Sequence, residues 1–222
     1  MKNSLHIDSV QMRFGEKIVL SDVFLTCESG DIIAIFGRNG CGKSTLLKII
    51  YGTLLPQNKF MKINNNVVRN VTEVRRLISF LPQQQFLPND LLVSKVLSLW
   101  LDKDKIAAFA DDMMLKPILN TKIGQLSGGE LKYLEVKLVL NTETPFCILD
   151  EPYSGISPVM IEKINELIIS NSSQKGIIIT DHDYQNMLSI ATKLYFIKDQ
   201  RGHFLPNKQA LIDNGYLMAN ML

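Results

Sequence analysis

Charge of one sign is not in surplus. In 222 residues, 24 Lys and Arg face 22 Asp and Glu, a formal net charge of +2. A surface built mainly for nucleic acid is therefore not expected, and small groups such as Arg75-Arg76 do not make one. Cysteine is scarce. Cys27, Cys41 and Cys147 stand too far apart for a metal-binding pattern or a disulfide framework, which fits a reducing compartment. No run approaches the roughly 18 consecutive apolar residues of a membrane span. Leu5 to Phe14 alternates in polarity, which reads against a secretory leader. Internal repeats, low-complexity tracts and long linkers are missing too. What is present is an apolar content of 46% with 21% charged residues, enough for one large domain with a real core.

The pattern along the chain predicts strands at Leu5–Met12 and Ile18–Leu25, joined by a turn at Gly15-Glu16-Lys17. Ile32 to Phe36 is a continuous apolar run, as in a central strand buried on both faces. A helix over Lys43–Tyr51 and strands at Phe60–Ile63 and Ile78–Leu81 follow. Between Pro88 and Ile123 the spacing turns helical and no strand signal appears, so an insert of two to four short helices is expected. Then come a helix from Gly129 to about Asn141, a strand at Phe146–Leu149 and a helix over Val159–Ile169. Gly176–Thr180 reads as a strand, Tyr184–Ile190 as a helix, Lys193–Ile197 as a strand, and the tail from Asn207 as one short helix. Strands alternating with helices after an antiparallel start indicate an α/β sheet covered by helices.

The chemistry begins at Gly37-Arg38-Asn39-Gly40-Cys41-Gly42-Lys43-Ser44-Thr45, set between the Ile32–Phe36 strand and a helix. This is the GxxxxGK[ST] phosphate-binding loop in its strand–loop–helix context. Gly37, Gly40 and Gly42 let the backbone curl around a β-phosphate, and amides at the helix start point at the anion. Lys43 would reach the β- and γ-phosphates, Ser44 would ligate magnesium and Thr45 would hold the α-phosphate. The ligand class is a nucleoside triphosphate with magnesium. A metal-holding carboxylate is then needed, and the buried strand Phe146–Leu149 ends in Asp150-Glu151. Asp150 is placed to hold the metal through water, and Glu151 to poise an attacking water.

A second anion-binding surface is expected at Leu126-Ser127-Gly128-Gly129-Glu130. Ser127 and Glu130 have the spacing of a capping box, and Gly128-Gly129 would leave the amides of that helix start open. One phosphate loop and a separate anion-binding helix start indicate a nucleotide held between two subunits.

With these motifs the chain resembles the nucleotide-binding domains of the ATP-binding cassette family. Leu126–Glu130 matches the family's LSGGQ signature, with Glu130 at the usual glutamine. The resemblance runs from about Leu5 to Lys198. It implies an α/β fold with a P-loop NTPase core, an antiparallel β subdomain and a small helical signature subdomain. The division expected is a core of 1–85 and 143–222 around a helical unit of 86–142. The resemblance also gives Phe14 the role of stacking on adenine. Gln83, in Phe80-Leu81-Pro82-Gln83, would contact magnesium or the attacking water, and His182, in Thr180-Asp181-His182, the γ-phosphate. It implies a head-to-tail dimer with two ATP molecules, each held by Gly37–Thr45 of one subunit and by Ser127, Gly128 and Gly129 of the other. The activity implied is ATP hydrolysis, with Lys43, Gln83, Glu151 and His182 as the catalytic set. Ser44, Gln83 and Asp150 would be the metal set.

Two positions depart from the family pattern. Ser157 stands where an aspartate is usual, and is expected to cap the helix opened by Pro158. Tyr133 stands where an arginine is common, so contacts of the signature helix should differ. Phe86, Leu87, Leu92 and Trp100 are candidates for a groove that takes a membrane partner. The leading expectation is the ATPase subunit of a transporter, including the type that energises lipid or lipopolysaccharide extraction. It would sit on the cytoplasmic face of a membrane through a separately encoded permease. A soluble ATPase of an assembly system, such as iron–sulfur cluster assembly, is the alternative.

Overall fold

The computed structural model describes residues 2–218 and 221. In chain order the elements are β1 (Ser4–Phe14), β2 (Lys17–Glu28), β3 (Ile32–Phe36), α1 (Lys43–Tyr51), β4 (Asn58–Ile63), β5 (Asn66–Val67), α2 (Val71–Leu77) and β6 (Ile78–Leu81). They continue with α3 (Val93–Trp100), α4 (Lys103–Ala110), α5 (Gly128–Leu140), β7 (Phe146–Asp150), α6 (Pro158–Ser172), β8 (Gly176–Thr180), α7 (Tyr184–Ile190), β9 (Lys193–Lys198), β10 (Arg201–Leu205) and α8 (Gln209–Asp213).

Two sheets form. The antiparallel one has the order β2-β1-β4-β5, and the larger one β10-β9-β3-β8-β7-β6. In the larger sheet every neighbouring pair is parallel except β10 with β9. The expected α/β architecture is therefore present. The apolar runs explain it, because strict alternation sends each strand's side chains to two separate cores. Ile33 and Ile35 of β3, Ile148 of β7 and Ile178 of β8 join the antiparallel sheet and α1. Ala34 and Phe36, Cys147 and Leu149, and Ile177 and Ile179 join α5, α6 and α7 on the other face.

Three elements go beyond the sequence expectation. β5 follows Asn64-Asn65, both at positive φ (50° and 64°), a two-residue turn that suits a hairpin. β10 follows a similar turn at Asp199-Gln200 (49° and 69°). α2 is capped by Asn70, whose side chain accepts the Glu73 amide at 2.9 Å.

The insert contains two α-helices and two short 3₁₀ turns, at Lys116–Ile118 and Ile123–Gln125. Its two ends are stitched together: the Val93 amide donates to Thr121 O at 3.0 Å, and the Ile123 amide to Leu91 O at 2.9 Å. Its apolar residues Val93, Val96, Leu97 and Phe109 share one cluster with α5 and the sheet. Leu87, expected in a docking groove, is buried in that cluster, whereas Leu92 and Trp100 remain exposed.

The two cores leave no slack at the start of β8. A Cβ on Gly176 would lie 2.7 Å from Cys27 Sγ, 2.8 Å from Phe146 Cδ1 and 2.9 Å from Glu28 O. Overpacking of this kind costs about 2 kcal/mol, so Gly176→Ala should lower the urea midpoint with the m-value unchanged. An unaltered midpoint would show that β8 shifts freely.

Candidate active site

The carboxyl ends of β3, β7 and β8 lie side by side, because these strands are parallel neighbours. The loop Gly37–Gly42 leaves β3 and enters α1. Two of its positions cannot carry a side chain. Gly37 has φ +155°, and a Cβ there would lie 2.7 Å from Ile197 O. Gly42 has φ +109°, and its Cβ would lie 2.8 Å from Leu20 Cδ2. Gly42 is also the N-cap of α1, no side chain caps that end, and its first turn holds no acid. The leading amides are thus open to an anion. Asn39 and Gly40 are exposed at the loop tip, and Thr45 is half-buried in the first turn. Lys43 folds back over the loop, with Nζ donating to Gly37 O at 2.7 Å and to Arg38 O at 3.4 Å.

Across from the loop, Asp150 is 1% exposed. Its Oδ1 accepts from Ser44 Oγ at 3.0 Å and from Thr180 Oγ1 at 2.7 Å. Its Oδ2 is buried with no hydrogen-bond partner among the described residues. Glu151 has a positive φ of 56°, a strained backbone for a residue with a side chain. Its amide donates to Thr180 O at 2.8 Å. Gln83 Nε2 donates to Glu151 Oε2 at 2.8 Å, and His182 Nε2 lies 3.1 Å from Oε1. The structure thus brings together Lys43, Ser44, Gln83, Asp150, Glu151 and His182.

It does not bring Ser127, Gly128 and Gly129 to the loop. Among the described residues no hydrogen bond joins them to Gly37–Thr45. Ser127 caps α5 in the expected capping box, and its Oγ and amide both donate to Glu130 Oε2, at 2.7 and 2.8 Å. Gly129 has a packing role as well, since a Cβ there would lie 3.3 Å from Met160 Cε. Phe14 ends β1 and is 51% exposed, with its neighbour Arg13 pinned through the backbone by Gln57 at 2.8 and 3.3 Å.

The ABC transporter family model matches residues 20–154. The chain belongs to the ABC transporter family. It is an ATP-binding subunit of the kind that hydrolyses ATP to drive transport. The thiamine import ATP-binding protein ThiQ of Escherichia coli is 30% identical over 188 residues, covering 80% of this chain and 81% of that protein. The lipopolysaccharide export system ATP-binding protein LptB of Acidithiobacillus ferridurans is 25% identical, over 96% and 94%. A solved ATP-binding subunit of an ABC transporter superposes with a TM-score of 0.81 at 21% identity, covering 97% of this chain and 95% of that one.

The donor set of this ABC subunit fits a hard divalent cation. Ser44 Oγ and Asp150 supply oxygen, and the orphaned Oδ2 is an unmet acceptor. Among the described residues no group of three or more His, Cys, Asp or Glu is arranged to hold a metal. A cation here would draw its other ligands from the phosphates and water. Burial pushes the Asp150 carboxyl above the ordinary carboxylate range, with the neighbouring Glu151 adding to it, against the pull of Thr180 and Ser44.

Two partners escaped the sequence reading. Thr180 orients Asp150, and nothing in a strand of Ile and Thr marks that role. Asp181 is buried and accepts the Tyr153 amide at 2.8 Å and the Asp183 amide at 3.0 Å, tying the turn after Glu151 to the turn that carries His182. Two expectations are refined. Ser157 stands at the N-cap of α6, but its side chain makes no capping hydrogen bond. Tyr133 is buried in the core cluster and its hydroxyl reaches the insert, donating to Asp112 Oδ2 at 2.8 Å.

Because the native Asp150 carboxyl binds its proton more tightly than the unfolded one, its ionisation lowers stability as pH rises through the window above the ordinary value. Asp150→Asn should therefore melt, without nucleotide and at neutral pH, no more than about 2 °C below the native chain. It should lose the extra rise in melting temperature that magnesium adds with ATP. A fall of about 10 °C in the unliganded variant would mark the carboxylate as structural instead.

Proposed function

We propose that this ABC subunit hydrolyses ATP at the interface of two copies arranged head to tail. Gly37–Thr45 of one copy and Ser127, Gly128 and Gly129 of the other would enclose each nucleotide. The observation that carries this reading is that the uncapped helix start after the phosphate loop and the Gly128-Gly129 start of α5 are not joined by any hydrogen bond among the described residues of one chain. Phe14, exposed at a strand end, takes the adenine face. Asn39 and Gly40 close the loop tip over the phosphates.

Glu151 accepts a proton from the water that attacks the γ-phosphorus, as the bond from that phosphorus to the β,γ-bridging oxygen breaks and ADP leaves. Gln83 and His182, which rest on Glu151, exchange that carboxylate for water and for a γ-phosphate oxygen. Lys43 likewise leaves Gly37 O for the β- and γ-phosphates. These donors then face charge that grows in the transition state, where preorganised hydrogen bonds stabilise most. Ser44, Gln83 and Asp150 would hold magnesium, which when bound neutralises charge on the β- and γ-phosphates.

The helical unit 86–142 is proposed to turn relative to the core of 1–85 and 143–222 as the pair closes, passing the change to a membrane partner. Phe86, Leu92 and Trp100 face solvent at least in part and supply apolar surface for that partner. Among the described residues no helix is long and apolar enough to cross a membrane, so the transport path would lie in separate subunits. The chain would work on the cytoplasmic face. Its similarity to a thiamine importer subunit and to a lipopolysaccharide exporter subunit supports transport over an assembly role, and leaves both directions of transport in play.

Glu151→Gln keeps the size and hydrogen-bonding reach of the side chain but removes its basicity. Steady-state ATP turnover should fall by about 100-fold or more, with ATP affinity preserved. Size-exclusion chromatography of the variant with ATP should show a dimer that the nucleotide-free chain lacks. Undiminished turnover would remove Glu151 from the mechanism, and a strictly monomeric ATP-bound variant would remove the shared site.

A further inference from the structure

One buried carboxylate holds the segment just after Gln83. Glu135, on α5, is 0% exposed. Its Oε1 accepts the Phe86 amide at 3.0 Å. Lys132, one turn earlier, places Nζ 3.7 Å from Oε2, which has no hydrogen bond among the described residues. A buried charge is expensive, and an apolar side chain of similar volume would pack at such a position without that cost. The carboxylate therefore invites a reason beyond packing.

Its connections supply one. Phe86 lies three residues after Gln83, and Glu135 lies eight residues after Ser127 on the helix that Ser127 caps. The single carboxylate thus joins the stretch that carries Gln83 to the helix that carries Ser127. The insert does not need this bond to stay in place. Asp112 accepts from both Tyr133 and Lys137, and Lys137 Nζ donates to Phe109 O at 3.1 Å. Those contacts hold the insert on α5 independently.

We propose that Glu135 is a positioning residue that makes the Gln83 segment and the Ser127 helix move as one body when ATP binds. The inference rests on the reading above, in which both groups belong to the nucleotide site. When Gln83 leaves Glu151 for the nucleotide, the Phe86 amide draws Glu135 and α5 with it, so that occupancy in one chain sets the angle of its own signature surface.

The test uses a reporter the chain already contains. Trp100 is the only tryptophan, and its ring lies 5.4 Å from that of Phe86. Binding of ATP with magnesium to the native full-length chain should shift Trp100 emission. In Glu135→Ala the shift should vanish and kcat should fall about tenfold or more, with KM for ATP within about threefold of native. Glu135→Gln keeps a carbonyl oxygen for the Phe86 amide and should recover both the shift and kcat. If Glu135→Ala does not fold, Glu135→Leu fills the space without an acceptor and carries the same expectation. A folded Glu135→Ala or Glu135→Leu with native kcat and a native Trp100 response would overturn the proposal. A native chain that hydrolyses no ATP would instead overturn the reading of the site on which it rests.

Discussion

The shared hydrogen bonds of Asp150 are the joint on which the site depends. One oxygen accepts from Ser44 at the start of α1 and from Thr180 at the end of β8, while Asp150 itself ends β7. A helix start and two strand ends are thereby fixed to a point. The sheet order makes this possible, since β8 lies between β3 and β7 and all three run in the same direction. The apolar runs enforce the order, because each of these strands must bury both faces and so needs a layer on each side. Packing places the carboxylate in a region where its charge is poorly solvated. In the proposed mechanism a cation and a polyphosphate would relieve what burial has made costly.

A second regularity is that the donors proposed for phosphate are satisfied by the chain itself. Lys43 rests on a loop carbonyl, and Gln83 and His182 rest on Glu151. In the proposed mechanism nucleotide would exchange one set of hydrogen bonds for another, and the net gain would be smaller than a count of final contacts implies. What tips the exchange is charge, because a triphosphate offers several anionic oxygens where the chain offers one carboxylate and two carbonyls. The positive φ of Glu151 belongs to the same economy. Its amide N–H donates to Thr180 O, which helps hold the backbone in that conformation and aims the side chain.

Most of this was legible in the residues where local physics and function coincide. β3, α1, β6, β8 and α7 have the bounds that their apolar runs and turns imply. The phosphate loop, the acidic pair and the Ser127–Glu130 capping box carry their meaning in spacing alone. Illegible were the parts whose signal is spread thinly. β5 and β10 are short hairpin arms announced by Asn64-Asn65 and Asp199-Gln200, and only the first is a strong turn pair. α2 has an Asn-x-x-Glu start but few apolar residues, of which Val74 alone is fully buried. Thr180, Asp181 and Glu135 act by positioning other groups, and such roles depend on which strands become neighbours. No local pattern encodes that.

The two helix starts proposed to enclose the nucleotide are not equivalent, and the difference is electrostatic. At α1 the first turn has no acid, no side chain caps the end, and Lys43 stands at the opening. At α5 the carboxylate of Glu130 sits in the first turn and takes both the amide and the hydroxyl of Ser127. That charge offsets the positive end of the α5 dipole, and the hydroxyl must be released before it can serve a phosphate. An incoming triphosphate therefore meets the stronger field at the loop. In the proposed dimer the signature surface would engage afterwards, once the nucleotide already presents an ordered γ-phosphate. A glutamine at the same position could hold Ser127 through its amide oxygen without the opposing charge. With Glu130, the burden of attraction at α5 falls on the bare amides of the helix start.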